Sequence, residues 1–192
     1  MARIRTFVAV EISEELRRAA KRVLGEFSAT QAPVRWVDPG QFHVTLKFLG
    51  DVDDSQIYAV CAAVRNAAAQ MEPFVATCDC VGAFPKLESP RTVWLGISEG
   101  TEQFRELHQQ LDTRLSKLGF PHEQRQFAPH ITLGRVDRDG QRAALQPLVD
   151  TMSAAQGREF GQFLVTGCVV YSSELTPRGP VYTPLGKLPL GG

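Results

Sequence analysis

His43-Val-Thr-Leu and His130-Ile-Thr-Leu are one four-residue pattern, His-x-Thr-Leu with a β-branched apolar x, written twice 87 positions apart. Side chains on a strand alternate between its two faces. In QFHVTLKFL (41–49), Phe42, Val44, Leu46 and Phe48 therefore share a packing face, while His43, Thr45 and Lys47 share the other. In HITLG, Ile131 and Leu133 point inward, and His130 and Thr132 point the opposite way. Each strand thus sets an imidazole beside a hydroxyl on a face that is not needed for packing. Two further echoes lie close to the same offset: FVATCDCV (74–81) with FLVTGCVV (163–170), and Pro90-Arg91 with Pro177-Arg178. The pattern predicts two related lobes, each bringing one His-x-Thr to a shared seam.

The elements between the motifs suit such lobes. IRTFVAVEI (4–12) reads as a strand rich in β-branched and aromatic residues. Ser13 with Glu14 and Glu15 opens a helix to about Ser28, its apolar stripe formed by Leu16, Ala19, Ala20, Val23, Leu24 and Phe27. Pro33 and Asp38-Pro39-Gly40 punctuate the approach to a strand over 41–49, and an alanine-rich helix covers about 54–70. Runs 74–84 and 91–97 read as strands joined by a Pro-containing loop. A helix over 101–118 carries Phe104, Leu107, Leu111, Leu115 and Leu118 on one stripe and stops at Gly119. The second motif strand comes after Pro129. A fourth helix over about 139–154 and two strands, 159–172 and 180–188, complete the chain.

Composition narrows the function. Of 192 residues, 43% are apolar and 22% charged, enough for a buried core. The 21 basic and 21 acidic side chains cancel, which argues against a protein that coats long nucleic acid and leaves recognition of an end or a nucleotide. The opening MARIRTFVAV interrupts its apolar run with arginines and lacks the features of a signal peptide, and no stretch approaches a membrane span. Cys61, Cys78, Cys80 and Cys168 form no zinc or disulfide spacing, and Cys78 and Cys80 point the same way on one strand. The expected setting is a reducing cytoplasm, with no membrane and no obligate protein partner, the chain acting as a monomer.

Two imidazoles and two hydroxyls on one cleft suit phosphoester chemistry. Imidazole titrates near neutrality, so a pair can hold one neutral base and one charged acid together. The base takes a proton from the attacking oxygen while the acid gives one to the leaving oxygen. Threonine hydroxyls can donate to the non-bridging phosphate oxygens where charge builds. Two histidines supply too few ligands for a metal site, so neither metal nor cofactor is expected.

These residues resemble the two-histidine phosphoesterases, and most closely the RNA 2′,3′-cyclic phosphodiesterases, also called 2′-5′ RNA ligases. The likeness runs over nearly the whole chain: RTFVAVEI, VRWVDPGQFHVTLKFLG, FAPHITLGRV and YSSELTPRGPVYTPLGKLPL. It implies an α+β fold in one bilobal domain spanning residues 1–192. Its two pseudo-symmetric lobes are each an antiparallel sheet with helices packed outside, and the active-site cleft lies between them. It implies His43 and His130 as catalytic residues and Thr45, Thr132 and Arg135 as phosphate contacts. The implied activity is metal-independent opening of RNA 2′,3′-cyclic phosphate ends to 2′-phosphates, with 2′-5′ ligation as the reverse. His130 is assigned as base and His43 as acid, an order that near-symmetry leaves reversible. Action on small cyclic or 2′-5′-linked nucleotides, or binding of an RNA end without turnover, are the rival readings.

Strict alternation would put Arg135 on the wrong face unless a bulge at Gly134 turns it back. The remaining candidates are weaker. Lys47 on the motif face is either a phosphate attractor or a solvated strand lysine. Phe127 reads as a buried residue, with base stacking as the competing reading. His108 and His122 read as bystanders, Trp36 and Trp94 as core or rim aromatics, and Phe42 as a core substitution beside the first motif.

Overall fold

The computed structural model describes residues 3–137, 142–177 and 179–191. Its elements in chain order are β1 (Arg3–Glu11), α1 (Glu14–Ser28), β2 (Val34–Trp36), β3 (His43–Asp53), α2 (Ile57–Ala68), β4 (Phe74–Lys86), β5 (Ser89–Ile97), α3 (Thr101–Ser116), β6 (His130–Val136), α4 (Gln146–Ala154), β7 (Gly161–Val165), β8 (Gly167–Thr176) and β9 (Gly179–Pro189). Helix α1 starts where the sequence signals it. Ser13 accepts a hydrogen bond from the Leu16 amide at 3.2 Å, and Glu14 and Glu15 sit in the positive first turn. Its stripe of Leu16, Ala19, Ala20, Val23 and Phe27 is buried. Helix α3 likewise buries Phe104, Leu107, Leu111 and Leu115, each contributing about 1.5–3 kcal/mol of apolar burial.

All strand pairings are antiparallel, in the order β7-β4-β5-β6-β3-β1-β8-β9, with β2 added beside β6. The sheet curls into a half-barrel, and the helices cover its core-facing side. The fold is α+β with two sheet halves, as expected, and the halves meet at β3 and β6 through the pair Val44–Ile131. The offset of the two motifs carries β1 onto β5, α1 onto α3, β3 onto β6, α2 onto α4 and β4 onto the β7–β8 run. Pairing in space exchanges the last of these: β4 joins β5, and β8 joins β1. Each half of the sheet is therefore built from both halves of the chain.

Several expectations need correction. The run 159–172 is two strands, β7 and β8, parted at Thr166. The loop expected after residue 84 is a tight hairpin, with Pro85 and Pro90 paired across it. Strand β2 has only three residues, too few for a periodic signal. Helix α4 begins at Gln146 after a 3-10 turn, Arg142–Leu145; the start expected at 139, like Arg178 of the weak repeat, lies outside the described residues. Cys78 and Cys80 do not point the same way. Asp79 is an extra residue between the pairs Cys78–Ile97 and Cys80–Gly96, so Cys78 is buried while Cys80 turns to the other face.

Candidate active site

β3 and β6 are central neighbours, so the two motifs meet at the middle of the concave face. His43 stands opposite Glu11 and Thr45 opposite Ala9 on β1; His130 stands opposite Gly96 and Thr132 opposite Trp94 on β5. The sheet thus brings His43, Thr45, His130 and Thr132 together. Proximity also shows in the electrostatics, because the charge of His130 helps to lower the pKa of His43.

Both imidazoles are held the same way. His43 Nδ1 lies 2.7 Å from the Gln41 carbonyl oxygen, and His130 Nδ1 lies 2.7 Å from the Ala128 carbonyl oxygen. A carbonyl only accepts, so each Nδ1 carries the hydrogen and donates. In the neutral ring Nε2 is then a lone pair aimed away from the backbone. His43 Nε2 lies 2.9 Å from Thr45 Oγ1, whereas His130 Nε2 has no protein partner among the described residues. The turn before His43 is itself fastened. Asp38 accepts from the Gly40 amide at 2.7 Å, and Arg17 Nη1 donates to Pro39 O at 2.7 Å and Phe42 O at 3.3 Å.

Burial lowers the pKa of both histidines below that of free imidazole. For His43 the hydrogen bond to Gln41 offsets part of this, and the charges of His130 and Arg17 add to it. For His130 the bond to Ala128 offsets it and the Arg135 charge adds to it. Both rings are therefore biased toward the neutral form.

A bulge in each motif strand sets which side chains share the face of the threonine. On β6 the pairs Trp94–Thr132 and Val93–Gly134 leave Leu133 extra, so Arg135 pairs with Thr92 and returns to the motif face. Gly134 is needed there, since a Cβ would come within 2.6 Å of Val34 and 2.7 Å of Trp36 on β2. On β3 the pairs Ala9–Thr45 and Val8–Lys47 leave Leu46 extra, so Lys47 leaves the motif face and Phe48 takes its place. Lys47 is therefore neither on the motif face, where alternation placed it, nor a solvated strand lysine. Its ammonium, on a side chain only 3% exposed, bonds Asp112 Oδ1 at 2.6 Å and Pro121 O at 2.8 Å on the helix side.

Aromatic rings that the motifs alone do not single out flank the histidines. Phe7 and Tyr182 lie 5.1 and 5.6 Å from the His43 ring; Phe84 and Trp94 lie 5.1 and 5.9 Å from that of His130. Trp94 lies flat on the sheet over Gly82 and Gly96, where any Cβ would strike its indole at 2.1 and 2.8 Å. The β1 alternation that Phe7 shares with Glu11 is a signal that could have found it; Tyr182 depends on a distant hairpin. Phe127 is half-buried and stacks on His108 at 4.4 Å, and His122 Nδ1 lies 2.6 Å from Asp112 Oδ2, both away from the motifs. Among the described residues no group of three or more His, Cys, Asp or Glu side chains is placed to hold a metal. No described helix is long and apolar enough to cross a membrane.

Known proteins place this architecture. A protein of Methanothermobacter thermautotrophicus named RNA 2′,3′-cyclic phosphodiesterase is 36% identical over 94% of this chain and 96% of its own. One of that name from Archaeoglobus fulgidus is 35% identical over 95% of this chain and 98% of its own. A crystal structure from Thermus thermophilus superposes with a TM-score of 0.80 at 29% identity, over 98% of both chains. The family model described as the 2′-5′ RNA ligase superfamily matches residues 35–176. The chain belongs to the 2′-5′ RNA ligase superfamily.

Proposed function

We propose that this protein opens 2′,3′-cyclic phosphate ends of RNA to 2′-phosphomonoesters, without a metal, acting as one bilobal domain and as a monomer in the cytoplasm. The observation that carries the reading is the matched pair of imidazoles, each tautomer held by a backbone carbonyl two residues upstream. The names of the relatives supply the substrate class. His130, with its Nε2 unengaged, is the base. It takes a proton from water as the water oxygen attacks phosphorus. The P–O3′ bond breaks, and His43, protonated at Nε2, donates to the departing 3′ oxygen. The phosphate stays on O2′, and solvent restores the two protonation states. Thr45 and Thr132 donate to the non-bridging oxygens, and Arg135 adds a fixed charge as negative charge grows there. An RNA 5′ hydroxyl attacking in place of water, with the same P–O3′ bond broken and O3′ protonated, gives a 2′-5′ linkage.

The test is phosphorus NMR on the product of an oligoribonucleotide ending in 2′,3′-cyclic phosphate, incubated in excess EDTA. A 2′-phosphomonoester is expected. A 3′-phosphate, or turnover of small cyclic or 2′-5′-linked nucleotides alone, would overturn this reading.

A further inference from the structure

The two sheet halves match in backbone but not in charge. Strand β1 has no extra residue of its own, so Arg3, Arg5, Phe7, Ala9 and Glu11 share the face on which Phe7 meets His43. Arg5 is exposed, and neither it nor Arg135 has an ion-pair partner among the described residues. Tyr182 is near enough to both for their charges to act on it. Burial raises its hydroxyl pKa, and the charges of Arg135 and Arg5 pull it back. Phe48, 64% exposed, sits on the same face with its ring 5.9 Å from Phe7. The motif offset carries Phe7 onto Trp94 and Arg5 onto Thr92, a neutral side chain. Next to His130 the β4 and β5 positions Cys80, Gly82, Phe84, Thr92, Trp94 and Gly96 carry no charge, and the cation acting on that histidine is Arg135 on β6 itself. Free cations set beside rings are what a single strand of RNA binds, and on β1 with its neighbour β3 the free Arg5 and the exposed Phe48 lead outward from His43.

We infer that the strand leading to the cyclic phosphate runs over β1, with Arg5 holding the phosphate on the 5′ side of the terminal nucleotide and Phe48 offering its ring to a base. The inference rests on the function proposed above and makes it more specific, because the preferred substrate is an oligonucleotide and not a mononucleotide. The chain's zero net charge is consistent with a short track rather than a long one.

Three substrates test this in the full-length protein: a nucleoside 2′,3′-cyclic monophosphate, a trinucleotide ending in cyclic phosphate, and the same trinucleotide with a neutral methylphosphonate as its last internucleotide linkage. Wild type should favour the charged trinucleotide, chiefly through KM. Arg5→Gln should cost about tenfold in kcat/KM on that substrate, the scale of one charge-assisted hydrogen bond. It should cost at least about fivefold less on the other two, by the same reasoning. Binding of the charged trinucleotide should also become less salt-dependent, by about 0.7 in the log–log slope. Arg22→Gln, on the exposed side of α1, is the control for a general charge effect. Equal losses on all three substrates, or no loss on the charged trinucleotide, would overturn the inference. Should wild type open none of them, the proposed activity fails. Fluorescence anisotropy with the two trinucleotides then still decides for or against the Arg5 contact.

Discussion

Arg135 occupies on β6 the place that Phe48 occupies on β3: each is the third residue after a motif threonine, returned to the concave face by one extra leucine. The two strands use one backbone device to present a cation near His130 on β6 and, on β3, a ring that packs against Phe7. Arg135 is near enough to His130 to lower its pKa, and the function proposed above has its guanidinium meet the developing phosphate charge. Arg135→Ala should lower kcat/KM by about 10²-fold, the scale of one lost transition-state donor. Arg135→Lys should recover only part, because an ammonium lacks the planar fork. Steady-state rates on a cyclic-phosphate oligonucleotide check this, and a loss under threefold would remove Arg135 from the chemistry.

The pH profile carries a definite sign. Burial disfavours the charged form of both imidazoles, so each ring loses its proton at lower pH than free imidazole does. The reaction needs one ring charged and the other neutral, which gives a bell in kcat/KM. Its centre should lie below about pH 6.5, the value of free imidazole. A plateau running up to pH 8 would contradict the assignment of both groups.

Lys47 is predicted to matter for stability. Asp112 accepts from Lys47 and from the Glu123 amide and also lies against His122, tying β3 to α3 and to the segment that leads to β6. Lys47→Ala strands the Asp112 carboxylate and should cost about 3 kcal/mol in urea unfolding. The bonds from Lys47, His122 and Glu123 hold the Asp112 pKa well below the usual carboxylate range. A depressed carboxylate stabilises the fold fully above its unfolded pKa, and the contribution is lost as pH falls through the folded one. Wild type should therefore lose more stability than Lys47→Ala on acidification below about pH 4. Equal losses would show that the pair is not coupled to folding.

Gly134→Ala tests the bulge. The added methyl meets Val34 and Trp36 and must push β2 away from β6. A cost of about 1–3 kcal/mol is expected, the usual range for overpacking, with loss of activity in protein that is still folded. A variant of unchanged stability would mean that β2 yields freely.

The alternation of apolar and polar residues makes the two motif strands legible, along with their helices and the pairing of His43/Thr45 with His130/Thr132. That much comes from local periodicity and from a pattern written twice. The bulges are harder. One extra residue reverses every later side chain on a strand, so alternation alone assigns Lys47 to the wrong face, and places Arg135 only if a bulge is supposed. Nothing local distinguishes Leu46 from Leu133, or either from an ordinary strand leucine. The exchange of β4 and β8 between sheet halves is illegible for another reason: strand pairing is a long-range choice, and the echo of 74–81 in 163–170 marks corresponding segments without saying which neighbour each one joins. Tyr182 reaches His43 only through that exchange, so no local pattern points to it.

The proposed function turns on His43 and His130 acting as an acid–base pair. The direct measurement is single-turnover opening of an oligoribonucleotide 2′,3′-cyclic phosphate in EDTA by wild type, His43→Ala and His130→Ala, with urea unfolding of all three run in parallel. Wild type should give a 2′-phosphate, and each variant should lose at least about 10³-fold, within the range for general acid or base catalysis, while remaining folded. Either folded variant retaining more than about a tenth of the wild-type rate would contradict the acid–base pairing.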